Sequence, residues 1–175
     1  MVKSDEIRNK AKKIKLLLTD VDGVLTDTGV YYSSEGEELK RFSIRDGMGV
    51  ERLRNCVSIE TGIITGENSP IVKRRAQKLN INEVYLGIKN KLDILLKVCN
   101  EKNLALDEIA YIGDDLNDIE IIKSVGLSAC PNDALSQIKE IVDYITENNG
   151  GYGAFRDFCE LIILSKNNWG MIWKK

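Results

Sequence analysis

Short apolar runs that break off into carboxylate, threonine and glycine, each followed by a helix-length stretch, constrain this chain more than any other feature. Ile14-Lys15-Leu16-Leu17-Leu18-Thr19 ends in Asp20-Val21-Asp22-Gly23-Val24, Thr61-Gly62-Ile63-Ile64 ends in Thr65-Gly66-Glu67, and Ile109-Ala110-Tyr111-Ile112 ends in Gly113-Asp114-Asp115-Leu116-Asn117-Asp118. Brief apolar runs bounded by turn formers read as buried strands, as in a parallel sheet. The intervening segments read as helices. These are Asp46 to Asn55, a helix with Ser69 as N-cap and Pro70 as its first residue reaching about Leu79, one from about Asn90 to Lys102, and one from Asn117. Val84-Tyr85-Leu86, Leu127-Ser128-Ala129 and Asp143-Tyr144-Ile145 supply further strands. The alternation predicts an α/β fold, a three-layer sandwich on a mainly parallel sheet with right-handed crossovers. A chain of 175 residues, 43% of them hydrophobic, suits a single domain over 1–175 with a real core.

Two segments stand outside that alternation. Gly29-Val30-Tyr31-Tyr32 and Glu38-Leu39-Lys40-Arg41-Phe42 flank Ser33-Ser34-Glu35-Gly36-Glu37 and read as a β-hairpin over about 29–43. An isolated hairpin is marginal in water, so this one is expected to pack on something. The C-terminal tail, about 149–175, opens with Gly150-Gly151-Tyr152-Gly153 and continues as a helix from about Ala154 to Leu164. Its glycines either permit close approach to a ligand or neighbouring backbone, or form a plain linker before a packing helix. Trp169, Met171, Ile172 and Trp173 then present apolar groups that suit either a subunit interface or a frayed end.

In open parallel sheets ligands bind just beyond the carboxyl ends of the strands, so Asp20, Asp22, Thr65 and Asp114 are placed to converge. A phosphate ester needs a nucleophile at phosphorus and a proton for its leaving oxygen, and two neighbouring aspartates supply both: Asp20 the first, Asp22 the second. Two carboxylates and a phosphate repel one another without a cation, which points to Mg²⁺ with oxygen ligands and Asp114 as a further ligand. The Thr65 hydroxyl and the Gly66 amide are candidates to hold phosphate oxygens, with Lys91 as a point charge on them. Asp118, and with it Asp115, would act behind these groups, orienting Lys91 or a metal-bound water. Each piece alone has an ordinary structural reading, as a turn, a loop entry, a solvated lysine or a helix cap. Their joint occurrence at strand-to-helix junctions is what points to one site.

Several chemistries are excluded. The chain has no histidine, which removes histidine-dependent phosphatases, Ser-His-Asp hydrolases and imidazole-ligated zinc. None of Cys56, Cys99, Cys130 and Cys159 has the arginine spacing of a cysteine-nucleophile phosphatase, and all four read as reduced, buried thiols. No phosphate-cradling glycine loop of the nucleotide-binding kind is present. A net charge of −2 gives no general attraction to nucleic acid or anionic membrane. No apolar run has the length of a membrane span, and the first residues lack the apolar core of a secretory signal, so the expected address is the cytoplasm.

The constellation, in this order, resembles the haloacid dehalogenase superfamily of phosphatases over roughly residues 14 to 165, with Asp20-Val21-Asp22-Gly23-Val24 as its first motif, Thr65 at the second and Lys91 at the third. The resemblance implies a Rossmann-like sheet, Asp20 as nucleophile, Asp22 as general acid and base, and Mg²⁺ held by Asp20, the Asp22 carbonyl and Asp114. More narrowly, Leu18 to Asp27, Ile64-Thr65-Gly66-Glu67 with Ile71 to Ala76, and Gly150 to Arg156 are similar to the capless phosphatases of phosphorylated 2-keto-3-deoxy sugar acids. That resemblance implies a homotetramer in which a hairpin, here opposed to a flap on its own subunit, covers a neighbour's site. It also allows the tail to reach a neighbouring site with Arg156. Glu67 after the Thr-Gly pair, with Arg75 and Lys78 on one helix face, is more similar to the nine-carbon members, acting on 2-keto-3-deoxynononate or N-acylneuraminate 9-phosphate, than to the octulosonate 8-phosphate phosphatases of lipopolysaccharide synthesis. A solvated helix face is the plainer reading of the basic residues. The nine-carbon sugar acid phosphate is therefore the expected substrate, the eight-carbon one the alternative. A non-catalytic assembly module of a sugar-acid cytidylyltransferase system is the alternative of another class. The lack of a cap-sized insertion after Asp22 weighs against phosphomutase and dehalogenase activity.

Overall fold

The computed structural model describes residues 2–166. In chain order the elements are α1 (Val2–Lys13), β1 (Leu16–Thr19), β2 (Thr26–Ser33), β3 (Gly36–Phe42), α2 (Ile44–Val57), β4 (Glu60–Ile64), α3 (Pro70–Lys78), β5 (Glu83–Tyr85), α4 (Lys91–Lys102), β6 (Ile109–Ile112), α5 (Ile119–Ser124), β7 (Leu127–Cys130), α6 (Ser136–Lys139), β8 (Tyr144–Ile145) and α7 (Ala154–Lys166). Six strands form one sheet in the order β5-β4-β1-β6-β7-β8, and every adjacent pair is parallel. This is the three-layer, Rossmann-like α/β fold expected from the apolar runs.

The strands are buried on both faces because helices cover both. Along β1 the side chains alternate. Leu17 joins a core with Val50, Leu53, Val72, Phe155, Phe158 and Ile162 from α2, α3 and α7, while Leu16 and Leu18 join a second core with Leu95, Val98, Ile121 and Ile138 from α4, α5 and α6. The chain builds β4 and β5 on one side of β1 and then crosses back to lay β6, β7 and β8 on the other. The carboxyl end of β1 therefore lies at the topological switch point, where open sheets bind ligands.

Local signals set the helix starts. Ser43 accepts a hydrogen bond from the Arg45 N–H at the start of α2, Ser69 caps α3 ahead of Pro70, and Asn90 caps α4. Helix α1 was not anticipated. Its charged sequence offers only Ile7, Ala11 and the following Ile14 as an apolar stripe, and packing on α7 is what stabilises it. The strand expected at Val84–Leu86 lies one residue earlier, and the helix expected from Asn117 opens as a 3₁₀ turn over Leu116–Asp118.

The hairpin, β2 with β3, forms a separate two-stranded antiparallel sheet and begins at Thr26, three residues earlier than expected. Its base is tied to its own chain, through Lys40 to Asp22 and through the Ser69 hydroxyl to Glu37, whereas Tyr31, Tyr32 and Leu39 are exposed. The tail glycines also pack on their own chain. The Gly151 N–H donates to the Val24 carbonyl at 2.9 Å, and Cβ atoms at Gly150 and Gly151 would collide with backbone of Gly23, Thr26 and Asp27. They are thus neither a plain linker nor, within this chain, a ligand-contacting segment. Arg156 pairs with Glu160 at 2.7 Å, and its N–H donates to Asp46 at 3.0 Å. Among the four thiols, Cys99, Cys130 and Cys159 are buried, but Cys56 is exposed on the last turn of α2. Trp169, Met171, Ile172 and Trp173 lie outside the described residues.

Candidate active site

A cavity of about 220 Å³ opens at the carboxyl edge of the sheet, lined by Asp20, Asp22, Thr28, Thr65, Gly66, Glu67, Asp114, Asp115 and Asn117. Asp20 follows β1, Thr65 follows β4 and Asp114 follows β6, so three adjacent strands deliver the three side chains to one place. Lys91, the first residue of α4, reaches the same place from below, its side chain 1% exposed, with Nζ 3.0 Å from Asp20.

Asp118 organises the floor. Its Oδ1 accepts from Lys91 Nζ at 2.6 Å and from the Tyr111 hydroxyl at 2.5 Å. Its Oδ2 accepts from the N–H groups of Asp114 and Asp115 at 3.0 and 3.3 Å. One fully buried carboxylate thereby fixes both the lysine and the loop that carries Asp114. A side chain at Gly113 would displace it, which is the reason for a glycine there. Asp115 itself is exposed and bonds the Leu116 N–H at 2.6 Å, capping the turn.

Burial pushes the Asp20 carboxyl up despite the neighbouring Lys91, and the Asp118 charge adds to that rise. Burial, with the charges of Asp20, Asp118 and Asp115, pushes Asp114 up to about 8. The Lys91 ammonium is raised overall, since Asp20 and Asp118 outweigh the burial that opposes its charge. Anions crowded this way need a cation. Asp20, Asp114 and Asp118 place carboxylate oxygens within 4.8 Å of one another, and Asp114 Oδ1 is buried with no hydrogen-bond partner. Asp118 is fully engaged by four donors, which leaves Asp20 and Asp114 as available hard-oxygen ligands. Gly23, at φ +86°, passes so close that a Cβ would enter the Asp114 carboxylate. The donor set fits Mg²⁺.

Of the residues picked out from sequence, Asp20, Asp22, Thr65, Gly66, Lys91, Asp114, Asp115 and Asp118 come together here, and Glu67 stands at the rim. Arg75 and Lys78 do not reach the cavity. The Arg75 guanidinium donates to the Ser43 carbonyl at 2.8 Å and lies over the Phe42 ring, and Lys78 is exposed. Their common helix face was legible, but the direction in which α3 turns it was not. Sequence reasoning missed Lys40, which grips Asp22 at 2.7 Å, and the lining residues Thr28 and Asn117. Thr28 has φ +65°, a left-handed conformation rare for a β-branched residue, and no local signal announced it. For Lys40 a signal existed, a lysine within an apolar-flanked strand pattern, but its partner lies 18 residues earlier.

The haloacid dehalogenase-like hydrolase family matches residues 60–155. The chain is 40% identical over 163 residues to 3-deoxy-D-manno-octulosonate 8-phosphate phosphatase KdsC of Escherichia coli, an alignment covering 93% of this chain and 86% of that protein. The chain belongs to the haloacid dehalogenase-like hydrolases. Among solved structures, 3-deoxy-D-manno-octulosonate 8-phosphate phosphatase from Moraxella catarrhalis, in complex with magnesium ion, phosphate ion and KDO, has a TM-score of 0.90 at 41% identity, covering 94% of each chain. The Yersinia pestis enzyme of the same name has a TM-score of 0.89 at 38% identity, covering 93% of this chain and 87% of its own. Haloacid dehalogenase-like phosphatases use Mg²⁺, in agreement with the acidic cluster. All three relatives are phosphoric monoester hydrolases by name, so the enzymatic reading stands over the non-catalytic assembly module. Among the described residues, no helix is long and apolar enough to cross a membrane.

Proposed function

We propose that this chain is a Mg²⁺-dependent phosphomonoesterase that removes the terminal phosphate of a 2-keto-3-deoxy sugar acid, with 3-deoxy-D-manno-octulosonate 8-phosphate as substrate. The observation that carries the chemistry is a buried Asp20 held 3.0 Å from Lys91 at a cavity whose other wall is Asp22. The substrate rests on the eight-carbon names of relatives that align along nearly the whole chain.

In this reading an Asp20 oxygen attacks phosphorus, the bond from phosphorus to the sugar oxygen breaks, and Asp22 gives its proton to that oxygen. Asp22 then takes a proton from water, the resulting hydroxide attacks the aspartyl phosphate, and the bond to Asp20 breaks to restore the carboxylate. Lys91, the Thr65 hydroxyl and the Gly66 N–H neutralise the phosphoryl oxygens in both steps. Asp20, Asp114 and the Asp22 carbonyl would hold Mg²⁺, which would offset the charge of phosphate and carboxylates. The cavity is small and open, which suits a phosphate with its sugar chain extending outward.

One observation favours a second reading. Glu67 lines the cavity, where a carboxylate repels a sugar carboxylate but accepts hydrogen bonds from hydroxyls, and the resemblance ties a glutamate at this position to the nine-carbon acids. Arg75 and Lys78, the other residues invoked for that substrate, lie elsewhere on this chain. The test is Mg²⁺-dependent phosphate release from octulosonate 8-phosphate, the two nine-carbon 9-phosphates and hexose phosphates. The highest kcat/KM on the octulosonate is expected; preference for a nine-carbon acid would replace the substrate assignment, and no release from any would sink the phosphatase reading.

A further inference from the structure

Strand β3 buries a single residue, and that residue is a lysine. The Lys40 side chain is 1% exposed. Lysine is almost never buried without a partner, because an unpaired ammonium in a low dielectric is costly. Here the partner is Asp22, whose two carboxylate oxygens each lie 2.7 Å from Lys40 Nζ. Behind the ammonium, Glu37 Oε2 stands 3.7 Å away, and Glu37 Oε1 accepts from the hydroxyl of Ser69, the N-cap of α3. A polar line thus runs from the site's second carboxylate through the hairpin to a helix of the main body. Asp22 keeps 27% of its side chain exposed and lines the cavity, so the lysine holds it from the protein side. Among the described residues, its one other side-chain bond comes from the Thr26 hydroxyl at 3.3 Å.

We infer that Lys40 is a positioning residue for Asp22, fixing its carboxylate where it hands a proton to the leaving sugar oxygen and takes one back from water. The inference rests on the acid and base role proposed for Asp22. An aspartate has two free torsions, and proton transfer requires approach to about 2.6–3.2 Å. A shift of about 1 Å in such a group costs roughly a hundredfold in rate. Lys40 touches neither phosphorus nor its oxygens in this scheme and acts only through Asp22. The hairpin's register is what brings position 40 inward, so the flap and the proton transfer are mechanically one unit.

Leaving-group dependence separates positioning from mere structural support. A sugar alkoxide needs a proton as it departs, whereas p-nitrophenolate does not. Lys40→Met is expected to lower kcat on the sugar acid phosphate by about tenfold or more, with KM changed less than about threefold, and to lower the single-turnover rate of p-nitrophenol release from p-nitrophenyl phosphate, which reports the first step alone, by less than about threefold. Asp22→Asn, the control, should show the same selectivity with a loss of about a hundredfold or more on the sugar acid phosphate. Equal losses on both substrates for Lys40→Met, with Asp22→Asn selective, would overturn the inference alone. Equal losses for Asp22→Asn would overturn the Asp22 role and the inference with it. If Lys40→Met fails to fold, Lys40→Gln, which keeps a donor for the carboxylate, carries the test. A smaller loss confined to the sugar acid phosphate supports the inference, and equal losses refute it.

Discussion

Replacing Asp118 by Asn tests whether one buried carboxylate organises the floor of the site. Four donors meet its two oxygens: Lys91 Nζ, the Tyr111 hydroxyl, and the N–H groups of Asp114 and Asp115. Asparagine has the same shape but a single acceptor oxygen, so two of the four donors would face an NH₂ group instead. Each buried donor left unsatisfied costs about 1–3 kcal/mol. Considered instead as a broken buried ion pair, with Lys91 left to Asp20 alone, the loss is about 3–5 kcal/mol. Both routes agree on about 4 kcal/mol. With a urea m-value of about 2 kcal/mol per M, the unfolding midpoint should fall by about 2 M at pH 7. Activity should fall too, by about tenfold or more, because the Lys91 ammonium and the Asp114 loop lose their common anchor. Equilibrium urea unfolding followed by circular dichroism, with phosphate release assayed in parallel, gives both numbers. A stability loss under about 1 kcal/mol would refute the reasoning, since it would mean that the donors find other acceptors at no cost.

Asp20→Asn should lower phosphate release by about a thousandfold or more while leaving the circular dichroism spectrum unchanged, and retained turnover would exclude the aspartyl phosphate. Burial pushes the Asp46 carboxyl from 3.8 up to about 6, so the folded state disfavours its anion. The penalty, about 3 kcal/mol at most at pH 7, develops as pH rises from the unfolded value to the folded one and vanishes below pH 4. Urea titrations should therefore find that the stability of Asp46→Asn relative to the parent improves by about 2 kcal/mol between pH 4 and pH 7; parallel curves would contradict this. Gly23→Ala forces a side chain into φ +86° and into the Asp114 carboxylate, so melting should show a loss of about 1–3 kcal/mol and a Mg²⁺ titration of phosphate release a raised half-saturation. The homotetramer expected from the resemblance is checked by light scattering; a fully active monomer of about 20 kDa would leave no role for a shared site.

Much of the fold was legible because apolar runs and caps are local. Ser69-Pro70 marked a helix start to the residue, since capping needs only a side-chain oxygen within a turn of the N–H it serves, and the helix expected from about Asn90 starts at Lys91. Asp20, Thr65 and Asp114 were legible as one site because a parallel sheet aligns the carboxyl ends of its strands. Helix α1 was not, because its stability comes from a neighbour more than 140 positions away in the chain, α7, and not from its own periodicity. Arg75 and Lys78 were grouped from helical spacing and joined to Glu67 by the resemblance, yet of the three only Glu67 faces the cavity. Spacing shows which residues share a face, and packing decides where that face points.

The sequence by itself determined the alternation of strands and helices from β1 onward, the sheet class, and which side chains are proposed as nucleophile, acid, lysine and metal ligands. Those features follow from patterns within a few residues of each motif. Only the tertiary structure decided that Lys40 grips Asp22, that Tyr111 joins Lys91 on Asp118, and that the tail glycines close on the turn after Asp22. Each of those contacts joins segments by the packing of a hairpin, a helix start or a tail onto one sheet edge, a long-range geometry that no local pattern encodes.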